Sequence, residues 1–135
     1  MKKKLVLTGA SGKLGSTLIN FLNKEYNLFP IGNKNKPKNG YKLDLTNKNK
    51  VENFLNKIKP EIIIHLVAIT KVDFCEENFN KAHEINFLTT KNLVDWSEKK
   101  KIRFIYLSTD QLYDNSNLSD EKSANPKNFY AITKF

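Results

Sequence analysis

At 135 residues, with 23 basic against 14 acidic side chains and a net charge of +9, the chain is sized for one hydrophobic core and not two. Its single cysteine, Cys75, excludes an intrachain disulfide and a cysteine-cluster metal site, and no apolar run approaches the roughly 20 residues of a membrane span. Arg103 is the only arginine and the lysines are scattered among asparagines, which argues for a solvated basic surface and against a nucleic-acid or membrane partner.

Met1 to Lys4 is basic, but Leu5 to Leu7 is too short for a signal-peptide core, so a reducing cytoplasm is the expected compartment. Lys4 to Thr8 reads as a buried first strand, and Leu14, Leu18, Ile19 and Leu22 recur at helical spacing from Lys13 to Lys24. Leu28 to Ile31 is a second strand, with Pro30 at a position that needs no ladder donor. A polar loop runs from Gly32 to Gly40, and Tyr41 to Leu45 is a third strand. Thr46 is the expected N-cap of a helix whose stripe is Val51, Phe54, Leu55 and Ile58, ending before Pro60.

Glu61 to Val67 is apolar except for His65, as a central parallel strand covered on both faces would be. Asp73, Glu76 and Glu77 fall in a loop and a helix start. A long helix is expected from Phe79 to Lys100, with Ala82, Ile85, Leu88, Leu93, Val94 and Trp96 as its apolar set. Ile102 to Ser108 is the fifth strand, Asp114 to Asn128 a polar loop, and Phe129 the start of a last helix. The alternation predicts an α/β fold with a Rossmann-type doubly wound parallel sheet of about five strands. His65 reads as a hydrogen-bonded core residue and His83 as a helix-face residue, so no metal site is expected.

Three segments carry chemistry. Gly9, Gly12 and Gly15 follow the first strand and open the first helix, where glycines let backbone approach a pyrophosphate at the positive end of a helix. The alternative is a packing turn with no ligand. About twenty residues on, where an acid would meet the adenosine ribose of NAD, the chain has Asn33 and Lys34. That favours NADP, with NAD as the second choice, unless Lys34 only reflects the general lysine excess. Finally, Tyr130 and Lys134 stand four apart on one face of a helix, a spacing that sets an ammonium near a phenol.

Taken with Asp44-Leu45-Thr46, Pro60 to Glu77, Ile85-Asn86, Leu107 to Asp114 and Pro126 to Lys134, these segments occur in one order along nearly the whole chain. In that order the chain resembles the extended short-chain dehydrogenase/reductases, and most closely their dTDP-4-dehydrorhamnose reductase-like branch. The resemblance implies a nicotinamide cofactor turn at Gly9, Gly12, Lys13, Leu14 and Gly15. It places Asn33 and Lys34 beside the adenosine ribose, Asp44 and Leu45 at the adenine, and Val67, Ala68 and Ile69 along the ribose and phosphates. Asn86 would bond across the active-site region. Thr109, Tyr130 and Lys134 fall on the catalytic positions, with Tyr130 as proton donor and Lys134 lowering the phenol's pKa while holding the nicotinamide ribose.

The implied reaction is reduction of a 4-keto-6-deoxy nucleotide sugar for cell-surface polysaccharide synthesis. An epimerase or dehydratase of the same superfamily is the alternative enzyme, and a non-catalytic dinucleotide-binding module the alternative outside enzymes. Members of this family are about twice as long and often form homodimers through the long helix and the helix at Tyr130. The chain is therefore expected to be the cofactor-binding part, residues 1–135, without the substrate-binding part. It would be either a fragment or a short protein, with its last helical turn poorly held and its fifth strand an exposed edge.

Overall fold

The computed structural model describes residues 1–113 and 119–135. Five strands, β1 (Lys4–Thr8), β2 (Asn27–Gly32), β3 (Tyr41–Lys42), β4 (Ile62–His65) and β5 (Arg103–Tyr106), form one parallel sheet in the order β3-β2-β1-β4-β5. The chain steps outward from β1 to β3 and then returns to the other side of β1, so the order reverses between β1 and β4. In an open parallel sheet, that reversal leaves a crevice beyond the strands' carboxyl ends.

Register explains Pro30. It pairs with Leu7 in β1, while β3 begins only opposite Ile31. Ile31 turns its carbonyl to Ala10 and Gly32 turns its carbonyl to Leu43. Proline, one residue before Ile31, therefore faces the β3 side before β3 has begun, where no ladder donor is missed. The third, fourth and fifth strands are shorter than the apolar runs predict; β4 ends at His65, where Leu66 begins to line the cleft, and β5 ends at Tyr106.

Helix α1 (Lys13–Glu25) covers one face of the sheet, with Leu18, Ile19 and Leu22 against Leu5, Leu7 and Ile62. On the other face, Val51, Leu55 and Ile58 of α2 (Lys48–Ile58) and Leu93 and Trp96 of α5 (Thr89–Lys100) enclose Val6, Ile31 and Ile63. Leu55 is completely buried, and its truncation to alanine would cost about 2–5 kcal/mol. The cap of α2 is Asn47 and not Thr46: Asn47 accepts from the Lys50 N–H, while the Thr46 hydroxyl is committed to the Asp44 carboxylate.

An additional helix, α3 (Val72–Glu77), occupies the stretch read as a loop and helix start. The long helix is present, but as α4 (Phe79–Ala82), a π-helical turn from His83 to Leu88, and α5 run end to end. The wider turn shifts the phase of the side chains. Asn86 becomes fully buried while Leu88, expected in the core, is 37% exposed.

The short α6 (Phe129–Lys134) is better held than one turn in isolation could be. Asn128 caps it through the Ala131 N–H, and the Phe129 N–H donates to Glu76 on α3. Tyr130, Ala131, Thr133 and Lys134 are all buried. Among the described residues β5 pairs only with β4, and Ile105 and Leu107 are exposed on its outer side. The polar loop expected from Asp114 begins outside the described residues; further along, Glu121–Ser123 forms a 3-10 turn capped by Asp120.

Candidate functional site

Beyond β1 the chain turns at Gly9 with φ +69°, a left-handed conformation that favours glycine, and the Gly12 N–H closes on the Gly9 carbonyl at 3.0 Å. A Cβ at Gly9 would lie 3.0 Å from the Leu66 carbonyl carbon, and one at Gly15 would lie 2.3 Å from the Gly9 oxygen. The first glycine thus lets β1 approach the end of β4, and the third lets α1 pack on the turn. The turn leads directly into the N-terminus of α1, whose first N–H groups are free to meet an anion.

The crevice is a cleft of about 270 Å³ lined by Gly9, Ser11 and Gly12 on one wall, Gly32 to Asn35 on a second, and Leu66 to Ala68 on a third. Leu43, Leu45, Ile85 and Thr89 close its floor and side. Open backbone at the glycines, a helix N-terminus and an apolar slot beside Asn33 and Lys34 fit a dinucleotide. Of the expected cofactor residues, Gly9, Gly12, Asn33, Lys34, Leu45, Val67 and Ala68 line this cleft, and Gly15 lies buried beneath it. Lys13 and Leu14 point to solvent on α1.

Asp44 sits next to the lining but turns inward on its own loop. Its carboxylate accepts from the Thr46 N–H at 3.0 Å and the Thr46 hydroxyl at 2.8 Å, which holds its pKa below the ordinary value. Ile69 lies beyond the cleft. Its N–H and carbonyl both bond to the Asn86 amide, at 2.7 and 3.0 Å, and its side chain packs against the cluster of Cys75, Ala82 and Tyr130. Cys75 is buried there, and desolvation raises its thiol pKa.

Of the three expected catalytic residues, Tyr130 and Lys134 lie buried on α6, and Thr109 stands in the segment after β5. Tyr130 is 7% exposed. Lys134 is 5% exposed; its ammonium donates to the Leu107 carbonyl at 2.8 Å and lies 4.1 Å from the centre of the Tyr106 ring. Burial pushes the Lys134 amine down to about 8. Thr109 caps the 3-10 turn Asp110–Leu112, accepting from the Gln111 N–H and donating to the Asp110 carboxylate at 3.2 Å.

A buried polar chain links the cleft to this region. The Thr8 hydroxyl accepts from the Leu66 N–H and lies 2.6 Å from His65 Nδ1. On the other side, the Thr90 hydroxyl donates to the Asn86 carbonyl and so accepts from His65 Nε2–H, at 3.0 Å. These partners fix the neutral imidazole with its proton on Nε2, and burial lowers the His65 pKa to about 3. Asn86 then reaches the Thr133 hydroxyl on α6 at 2.9 Å.

The sequence signals missed Ile31, Gly32 and Asn35 on the second wall, although lining residues beyond a strand's carboxyl end follow from parallel topology. They also missed Tyr106, which reads only as one more aromatic strand residue. Among the described residues no group of His, Cys, Asp and Glu could hold a metal ion, and no helix is long and apolar enough to cross a membrane.

Comparison with known proteins places this geometry. A dTDP-4-dehydrorhamnose reductase structure from Bacillus anthracis in complex with NADP superposes with a TM-score of 0.85 at 31% identity, over 99% of this chain and 47% of that one. A hypothetical dTDP-4-dehydrorhamnose reductase from Sulfolobus tokodaii gives a TM-score of 0.89 at 34% identity, over 99% and 49% of the two chains. The dTDP-D-glucose 4,6-dehydratase of Dictyostelium discoideum is 32% identical over 98% of this chain and 38% of its own length. The chain thus spans about half the length of the solved relatives, and less of the dehydratase. With the family model for the RmlD substrate binding domain matching residues 3–135, the chain belongs to that family.

Proposed function

We propose that the chain is the dinucleotide-binding part of an NADP-preferring nucleotide-sugar reductase, whose substrate-binding part lies outside these 135 residues. The observation that carries this reading is the second wall of the cleft. Asn33, Lys34 and Asn35 line it and, among the described residues, no carboxylate does, Asp44 being held by Thr46. A 2′-phosphate there meets a cation and two amides, with no negative group to repel it.

When bound, the reduced cofactor supplies a hydride to the C4 ketone of a 4-keto-6-deoxy sugar. Negative charge grows on the ketone oxygen, and Tyr130 transfers its phenolic proton to that oxygen, giving the alcohol. Thr109 donates a hydrogen bond to the same oxygen once it releases Asp110. Lys134 holds the ribose hydroxyls and favours the phenolate left on Tyr130. Asn86 keeps the loop at Ile69 and the helix of Tyr130 and Lys134 in fixed relation.

The dehydratase relative, 32% identical over 98% of this chain, favours a second reading in which the same turn and the same Tyr130 and Lys134 serve an internal hydride transfer. Stoichiometry separates the two. A reductase consumes one NADPH per ketone, whereas a dehydratase or epimerase returns the hydride and leaves the cofactor pool unchanged.

The test is NADPH oxidation in the presence of a dTDP-4-keto-6-deoxy sugar, with wild type and Tyr130→Phe. Loss of turnover by about 100-fold or more with unchanged NADPH affinity supports the reductase. Saturable NADPH binding with no turnover of the ketone by wild type would assign a non-catalytic dinucleotide-binding module instead.

A further inference from the structure

Lys134 is nineteen-twentieths buried, yet among the described residues no carboxylate pairs with it. Asp95, which lines the same groove of about 310 Å³, is taken by Lys91 at 2.9 Å. A cation removed from water without a counter-charge needs another source of negative potential. Two are in place. One is the Leu107 carbonyl, which accepts a single N–H. The other is the face of Tyr106, 4.1 Å below the ammonium.

The Tyr106 ring is itself packed on two sides. It is the β5 partner of His65, whose imidazole stacks on it at 5.8 Å with an interplanar angle of 16°. Phe104 lies beside it at 6.4 Å. The imidazole is neutral, so its packing against the ring adds no repulsion of the ammonium.

We propose that Tyr106 is a positioning residue for Lys134, its ring face holding the ammonium in place as a cation without engaging any of its N–H donors. The proposal rests on the reading of Lys134 as a catalytic residue for its functional meaning, though not for its geometry. A carboxylate would attract the ammonium more strongly, but it would also take up one or two donors and compete with ligand hydroxyls. A ring attracts the charge through its quadrupole and accepts no directed hydrogen bond. With one N–H on Leu107, two remain for the hydroxyls of a ribose.

The groups around the ammonium come from five elements. From β5 and the residue after it there are the Tyr106 ring and the Leu107 carbonyl; from β4, neutral His65; from the π turn and α5, the Asn86 amide and the Lys91–Asp95 pair lining the groove; from α6, Thr133 and Tyr130. The Tyr106 ring is the nearest of these that can be changed without adding or removing a charge.

The test is an NMR titration of the chain with ¹³C,¹⁵N-labelled lysine and no dinucleotide present, Lys134 being assigned by its loss in Lys134→Met. Tyr106→Phe keeps the ring and should leave the Lys134 midpoint where it is. Tyr106→Leu and Tyr106→Ile keep an apolar side chain in the strand but remove the quadrupole, and should lower the midpoint by about 0.5–1.5 pH units. An unchanged midpoint in whichever aliphatic variant gives a folded amide spectrum would overturn the proposal in favour of simple packing. An equal drop in Tyr106→Phe would overturn it in favour of the phenol hydroxyl. Absence of NADPH binding would sink the proposed function and leave this inference standing.

Discussion

Asn86 Nδ2 donates to the Thr133 hydroxyl at 2.9 Å, tying the π turn of the long helix to α6 across 47 positions of the chain. The same amide closes on both backbone groups of Ile69, so one buried side chain joins the exit of β4, the long helix and the helix of Tyr130 and Lys134. Asn86→Ala would leave the Ile69 N–H and carbonyl without these partners. We expect a loss of about 2–4 kcal/mol in urea unfolding, from one or two desolvated and unpaired backbone groups. A loss below about 0.5 kcal/mol, the range of ordinary surface substitutions, would show that water or rearrangement replaces the amide.

The close approach of α1 to the glycine turn gives a steric prediction. In Gly15→Ala the new methyl would sit 2.3 Å from the Gly9 oxygen and 2.7 Å from the Ala10 Cα, both backbone atoms that cannot rotate away. The helix must shift off the turn, at a cost of about 1–3 kcal/mol. Dinucleotide affinity, followed by NADPH fluorescence, should fall about tenfold or more because the helix N-terminus moves with it. Unchanged affinity would separate the turn from phosphate binding.

Two buried bases make stability depend on pH in separate windows. His65 titrates at about 3 when folded and near 6.5 when unfolded. As pH falls from 6.5, the unfolded chain gains a proton that the folded one refuses, so stability drops by up to about 1.4 kcal/mol per pH unit. Lys134 titrates at about 8 when folded against 10.5 in the unfolded chain. Between these values the unfolded state retains a proton that the folded state has lost, and stability rises with pH. Urea midpoints measured from pH 4.5 to 6.5, above the range where Asp44 titrates, should lose their slope in His65→Gln. Midpoints between pH 8 and 10 should flatten in Lys134→Met. If either variant keeps the wild-type slope, another group is responsible for it.

Among the described residues, Lys34 is the one cation lining the cleft. Lys34→Ala should weaken NADPH binding about 5- to 10-fold, the worth of one exposed charge-assisted contact, and leave NADH binding unchanged. Raising ionic strength should narrow the gap between NADPH and NADH in wild type and not in the variant. Equal weakening of both cofactors would mean that Lys34 acts through the loop's shape.

Most of this architecture was legible in the sequence because burial on both faces leaves a strong mark. The apolar runs at Leu5 to Leu7 and Ile62 to Ile64, and the glycines between β1 and α1, name the centre of the sheet and its crevice directly. What escaped depended on contacts between distant segments. Nothing local says that Thr46 will spend its hydroxyl on Asp44 and leave Asn47 to cap α2. The π turn exists where Asn86 must face inward to reach Ile69 and Thr133, and a helical periodicity in steps of 3.6 then misplaces Leu88. Tyr106 looks like any aromatic in a strand until α6 brings Lys134 over its ring.

The proposed function stands on a dinucleotide held in the crevice between β1 and β4 and discriminated at its adenosine ribose. Equilibrium titration of the purified chain with NADPH and NADH, read by cofactor fluorescence, tests it most directly. We expect saturable binding of both, with NADPH about tenfold tighter, as one phosphate–lysine contact would give. No saturable binding of either cofactor would contradict it.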